Sequence, residues 1–173
     1  MIGNGNFGIA VCVVLFAAMS PALYAGQISV WSGDMAAPHL DWAYESESGK
    51  PAGPVRIVAT RNGAFSGKVV VGCKGPISGL RAGITAFSQD GKESIGQDCV
   101  KLSFPAWSSQ STWRVVPEAI SYFDVLTPTV SAEIPTLTKT VERRSVDMGF
   151  ACQPIWITVA VAADAPAGKH QAV

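Results

Sequence analysis

The sequence predicts an all-β protein, an antiparallel β-sandwich of two sheets. Three observations predict it. Short apolar stretches alternate with a period of two, as half-buried strands do. The 17 glycines and 11 prolines are scattered along the chain and punctuate those stretches with turns. Beyond residue 26 no ten-residue amphipathic helix is visible, which argues against a parallel sheet built from βαβ units.

The elements follow in order. Gln27–Ser32 alternates and makes a first strand. Asp34–Pro54 is turn-rich, and Ser48–Pro54 is a loop of Gly and Pro. Pro54–Thr60 sets Val55, Ile57 and Ala59 on one face. Asn62-Gly63 is a turn signal between that run and Gly67–Cys73, which is apolar on both faces and so central. Leu80–Phe87 alternates again and predicts a strand; Gln89–Lys92 is the turn that closes it. Cys99–Pro105 points Val100, Leu102 and Phe104 inward. Trp113–Val116 and Ile120–Leu126 are weaker apolar runs around Pro117.

Thr127–Val146 is ambiguous, because Pro128 and Pro135 forbid a long regular element; Thr138–Arg144 fits a loop or a short helix. Pro154–Ala163 is the clearest strand, with Ile155, Ile157, Val159 and Val161 on one face and Trp156 and Thr158 on the other. Ala165–Gly168 is a turn, and Lys169–Val173 predicts the return strand of a hairpin, with the chain ending inside it. Seven to nine such strands fit an immunoglobulin-like or jelly-roll-like sandwich over residues 26–173, truncated at its C-terminal strand.

Residues 1–25 stand apart. Ile9–Met19 is an uninterrupted apolar block, preceded by Gly3-Asn4-Gly5-Asn6 and followed by Ser20-Pro21-Ala22-Leu23-Tyr24-Ala25. Such a block is too short to span a bilayer, which takes about 20 helical residues. It matches the apolar helix of a signal peptide, with small residues at its exit. The leading segment has no Lys or Arg, and cleavage fits after Ala22 or Ala25. The expectation is a secreted or periplasmic protein with no membrane segment after cleavage.

Charge and composition exclude several classes. Thirteen basic and 13 acidic side chains cancel, so there is no basic stripe for neutralising phosphates, and no nucleic-acid partner is expected. Three cysteines follow the leader, Cys73, Cys99 and Cys152. Outside the cytoplasm a bridge is allowed. Cys73–Cys99 is the first choice for it; the alternative is three separate buried thiols. No CxxC or His–Cys spacing exists, so no metal is expected.

Reactive constellations are equally absent. The two histidines, His39 and His170, sit in segments that fit a loop or a strand edge and are expected at the surface. No G-x-S-x-G elbow occurs. Asp34, Asp41, Glu45, Glu47 and Asp147 do not form the paired carboxylates of a glycosidase and are expected to be solvated. No Asp/Asn-rich calcium loop is present. Gly3–Gly8 fits G-x-G-x-x-G but follows no strand. Neither a catalytic residue nor a cofactor is therefore expected. Of Trp31, Trp42, Trp107, Trp113 and Trp156, the candidate for stacking on a sugar is Trp107, because Pro105–Ser111 looks like an exposed polar loop.

Two stretches carry a resemblance. Pro54–Val71 and Pro154–Val161, the latter followed by Asp164-Ala165-Pro166-Ala167-Gly168-Lys169-His170, resemble the N-terminal β-sandwich of secreted glycoside hydrolases of the family 123 type and related proteins. In that group the first stretch runs A-x-R-N-E then S-x-Q-V-V-V. The second runs P-x-W-V-T-V then D-A-P-A-G-x-Y. Gly63 stands here where Glu is usual, Lys68 where Gln is usual, and His170 where an aromatic is usual. The resemblance implies a non-catalytic accessory module of an N-acetylgalactosaminidase-like enzyme. Its catalytic carboxylates would lie in a (β/α)8 barrel, downstream or in trans. A freestanding secreted carbohydrate- or protein-binding sandwich is the alternative, and a small secreted hydrolase a third.

Overall fold

The computed structural model describes residues 7–11, 28–33, 44, 47–50, 52–108, 122–141 and 144–173. In chain order the strands begin with β1 (Phe7–Val11), β2 (Ile28–Gly33), β3 (Val55–Ala59), β4 (Gly63–Lys74) and β5 (Ile77–Ser78). There follow β6 (Phe87–Gln89), β7 (Lys92–Ile95), a 3-10 turn at Gln97–Cys99, β8 (Val100–Ser108) and β9 (Tyr122–Thr127). The last are β10 (Glu133–Ile134), β11 (Thr138–Val141), β12 (Arg144–Asp147), β13 (Phe150–Val161) and β14 (Lys169–Ala172).

Two five-stranded sheets form the body. One has the order β2-β4-β13-β8-β9, the other β3-β1-β14-β6-β7. Two short ribbons, β5–β10 and β11–β12, lie outside them. The first sheet is antiparallel throughout; in the second, β1 runs parallel to β14.

The core lies between the sheets. Val69, Val71 and Cys73 of β4 and Ile155, Ile157, Val159 and Val161 of β13 are buried against Val55, Ile57 and Ala59 of β3, with Phe87, Ile95 and Ala172. Each large aliphatic side chain removed from water stabilises by about 1.5–3 kcal/mol. The alternation expected for Val55–Ala59 and for Ile155–Val161 is what the burial follows. A second cluster covers the outer face of the first sheet: Trp31, Val70, Leu137, Phe150 and Cys152, with Tyr44 stacked 5.0 Å from Phe150. Gly72 is needed there, since a Cβ would meet the Trp31 ring at 2.8 Å and Tyr44 at 2.6 Å.

β4 and β13 pair over twelve residues each, from Gly63↔Val161 to Lys74↔Phe150. The β4 part of the first stretch that carries the family resemblance and the β13 part of the second are therefore neighbours in one sheet, with Lys68 directly opposite Trp156, while Val55–Ala59 lies in the other.

Several expectations are corrected. Residues 80–86 form no strand, although Ile84 is buried and Leu80 and Ala82 pack on the core. The strand is Phe87–Gln89, turned into β7 by Asp90 and Gly91, both at positive φ, 51° and 77°. That is the Asp-Gly turn expected at Gln89–Lys92. Thr138–Val141 is neither loop nor helix but β11, paired antiparallel with β12, which begins at Arg144; Thr and Val favour strand once a partner lies alongside. β14 is not the hairpin partner of β13. It crosses to the other sheet and pairs with β1 and β6. Gly168, at φ 140°, makes that crossing. Likewise the turn at Asn62, at φ 58°, joins β3 to β4 across the two sheets.

Residues 1–25 show no leader helix among the described residues. Phe7–Val11 is a strand, antiparallel to β3 and parallel to β14. A short run of Phe, Ile and Val has no periodicity that separates helix from strand, and two flanking strands supply its pairing.

Candidate functional site

A concavity lies at the edge of the first sheet. β8 uses Val100–Ser103 to pair with β13 and Phe104–Ser108 to pair with β9. Where it changes partner, a cavity of about 590 Å³ opens. Its apolar wall includes Phe104, Val130, Ile134 and Leu137; Thr127, Thr136 and Gln153 add polar groups.

Two prolines shape this edge. Pro105 and Pro154 have no N–H to give to a ladder, and the β8–β13 ladder starts beyond Pro154, at Trp156↔Ser103. The Gln153 side chain takes over. Its Nε2 donates to Pro105 O at 3.0 Å and to Pro154 O at 2.9 Å. Gln153 is buried, and its Oε1 has no donor among the described residues. Below it, Thr127 Oγ1 lies 2.7 Å from Phe104 O and 2.8 Å from Thr129 O, so one hydroxyl serves either carbonyl. An apolar cleft edged by hydroxyl and amide groups suits an apolar group that carries a hydrogen-bonding substituent.

The sequence-predicted residues are placed as follows. Trp107 belongs to β8, its backbone opposite Phe123, so Pro105–Ser108 is strand rather than loop; residues 109–121 lie outside the described residues. Trp42, Trp113 and His39 also lie outside them. Trp31 is buried in the outer cluster, and the Lys68 ammonium sits 5.9 Å from the Trp156 ring centre.

His170 corrects the expectation of a surface histidine, for it is fully buried in β14. Its Nε2 faces Pro166 O at 3.1 Å and therefore carries a proton, while Nδ1 meets Ser94 Oγ at 2.7 Å. It joins the β13–β14 crossing to β7. The bridge Cys73–Cys99 is not formed. Cys73, Cys99 and Cys152 form no disulfide, Cys73 lying in the core and Cys152 on the opposite face of the sheet. Burial pushes the Cys73 thiol up, and burial with Asp98 nearby does the same for Cys99. Tyr44 is raised by burial first, then by Cys73 and Cys152.

Among the described carboxylates, Glu47 pairs with Lys50 at 2.9 Å and Asp147 Oδ1 accepts from Gly149 N at 2.8 Å. Asp34, Asp41 and Glu45 lie outside the described residues. No group of three potential metal ligands occurs among the described residues.

Fold and site together define an all-β protein of two packed sheets with an apolar cavity at a sheet edge. No protein-family model and no curated protein matches the chain. Its backbone is similar to that of a family 123 glycoside hydrolase from Clostridium perfringens, a protein of glycolipid glycan hydrolysis, with a TM-score of 0.53 and 11% identity. The match covers 84% of this chain and 27% of that one. It shows a distant relation of fold.

Proposed function

We propose that this chain is the non-catalytic β-sandwich module of a secreted glycoside hydrolase of N-acetylgalactosaminidase-like type. Its partner is a (β/α)8 catalytic domain, downstream or in trans. The observation that carries this reading is the asymmetry of coverage: nearly the whole chain aligns with about a quarter of a family 123 hydrolase. Val125 and Leu126, adjacent on edge strand β9 and each more than half exposed, offer apolar surface for such a partner to cover.

The coding sequence that follows the Val173 codon tests it. An open frame with alternating strand and helix patterns is expected, and the purified 173-residue chain should not turn over an aryl N-acetyl-β-galactosaminide. A stop codon with no barrel gene beside it, or turnover by the chain alone, overturns the reading. The cavity at the β8–β9 edge favours a second reading, a freestanding carbohydrate- or protein-binding sandwich. An intact locus that ends at Val173 would favour that one.

A further inference from the structure

The second sheet has the order β3-β1-β14-β6-β7, so β1 fills a slot between two strands that come from distant parts of the chain. Five residue pairs join it to β3, from Phe7↔Ala59 to Val11↔Val55. Four join it to β14, from Gly8↔Lys169 to Val11↔Ala172. Yet Phe7–Val11 overlaps the apolar block that, on the export reading, is removed with the leader. Export would then leave two facing strand edges about 9.5 Å apart, one strand too far to pair with each other. Each edge would carry unpaired N–H and C=O groups inside a sheet, which a further strand satisfies and side chains do not.

The slot also dictates the sequence it takes. Positions 7, 9 and 11 of the occupant stand in register with Ala59, Ile57 and His170, Val55 and Ala172, all buried. Positions 8 and 10 stand in register with Val58, Lys169, Arg56 and Gln171, all exposed. An occupant must therefore be apolar at alternate residues and is free between them.

We propose that the β3–β14 slot is a strand-acceptor site, filled in the exported protein by an extended, alternately apolar segment of the catalytic partner module. The donor assignment rests on the function proposed above. A second copy is a poor donor, because export strips the same strand from it and, among the described residues, β2–β14 are already paired in the sheets and ribbons. Strand addition of this kind draws its affinity from main-chain hydrogen bonds and its specificity from alternate side chains.

The test starts from the full folded chain with a site-specific protease sequence inserted after Ala25. The probe is a fluorescent peptide of the Phe7–Val11 sequence with lysines at its ends. After cleavage it should displace residues 1–25, bind one per chain and raise the melting temperature; the uncleaved chain should not bind it. A peptide carrying Ile9→Asp should bind roughly tenfold or more weakly, since it sets a carboxylate against a buried register position. A peptide N-methylated at alternate amides should not bind, which separates strand pairing from mere stickiness. Equal binding to cleaved and uncleaved chain, binding of the N-methylated peptide, or no exchange at all overturns the acceptor site. Dimerisation of the cleaved chain that excludes the peptide overturns the donor. Peptide capture without a barrel-coding frame at the locus removes the donor and the proposed function but leaves the slot standing. Failure of capture beside an intact frame does the reverse.

Discussion

The two sheets share one core but are made differently. In the β2-β4-β13-β8-β9 sheet, β4 and β13 run side by side for twelve residues, so each apolar residue is supported by a continuous ladder. In the β3-β1-β14-β6-β7 sheet no strand exceeds five residues, and β14 meets β6 at a single register pair, Gln171↔Ser88. The difference teaches that one sheet is held by its own backbone, while the other is assembled by what the first presents to it. Side-chain links make up part of the deficit: His170 to Ser94 and Pro166, Gln89 Nε2 to Ala167 O at 3.0 Å, and Arg61 Nε to Ala165 O at 2.8 Å.

The sharpest way to break this arrangement is to force the layers apart. At Gly67 of β4 a Cβ would lie 2.5 Å from Val55 Cγ1 and 3.0 Å from Ile57 Cγ1, both on β3. Gly67→Val adds two further methyl groups in that gap. Such overpacking of a core costs about 1–3 kcal/mol or more, and here it acts on the sheet with the weaker ladders. The expected outcome is a chain whose urea midpoint collapses and whose β3 amides lose protection. A midpoint within error of the parent would show that the sheets are not in contact at Gly67.

The contrast itself is measured by native-state hydrogen exchange. Amides of β4 and β13 should exchange only through global unfolding, while those of β6, β7 and β14 open locally and exchange on the order of a hundredfold faster. Uniform protection across both sheets would remove the distinction.

Much of the stronger sheet was legible in the sequence. Ile155, Ile157, Val159 and Val161 alternate without a break, and hydrophobic burial follows such a pattern wherever a sheet forms. The weaker sheet was less legible because its strands are short and its pairings are non-local. Leu80, Ala82 and Ile84 alternate as a strand would, yet among the described residues no ladder pairs them with a neighbouring strand. Asn62 and Gly168 mark where the chain turns, but turn chemistry does not say into which sheet. Gln153 carried no motif. Its only signal was an amide beside Pro154 within an apolar strand, and the second proline it serves, Pro105, lies 48 residues away. The cavity had no signal at all, because it exists only where β8 leaves one partner for another.

Gln153 offers the next test, at the edge of the stronger sheet. Gln153→Leu keeps the bulk and removes both donors, leaving the Pro105 and Pro154 carbonyls unpaired. Each buried acceptor stranded this way costs about 1–3 kcal/mol. The denaturant midpoint should fall, and the β8–β13 junction should lose protection before β4 does. If the midpoint holds, the amide bridge is not what replaces the ladder.

Alkali should also discriminate between the sheets. Cys73, Cys99 and Tyr44 have pKa values raised in the folded chain, all chiefly by burial, and all lie on or beside the β2-β4-β13-β8-β9 sheet. The strands of the other sheet contain neither Cys nor Tyr. A raised folded pKa means that the unfolded chain releases its proton first. Stability is therefore unaffected by these groups below their ordinary values of 9.0 and 10.0, and falls as pH rises through and beyond them. Replacing Cys73 with Ala should flatten the first part of that fall. A stability curve level from pH 8 to 10.5 in both chains would contradict the burial of these groups.

The smallest effect belongs outside both sheets. Lys50 and Glu47 pair at 2.9 Å, with side-chain exposures of 57% and 31%, three residues apart. An exposed pair of this kind contributes about 0–1 kcal/mol, and salt screens it further. Lys50→Ala should leave the melting temperature nearly unchanged in 0.5 M salt and shift it by at most a few degrees at low ionic strength. A large shift that salt does not erase would mean that this segment packs on the outer cluster through Tyr44, four residues before Ser48, whose N–H bonds back to the Tyr44 carbonyl at 2.7 Å. The stronger sheet would then owe part of its stability to a cover outside its own strands, and the contrast between the two sheets would narrow by that amount.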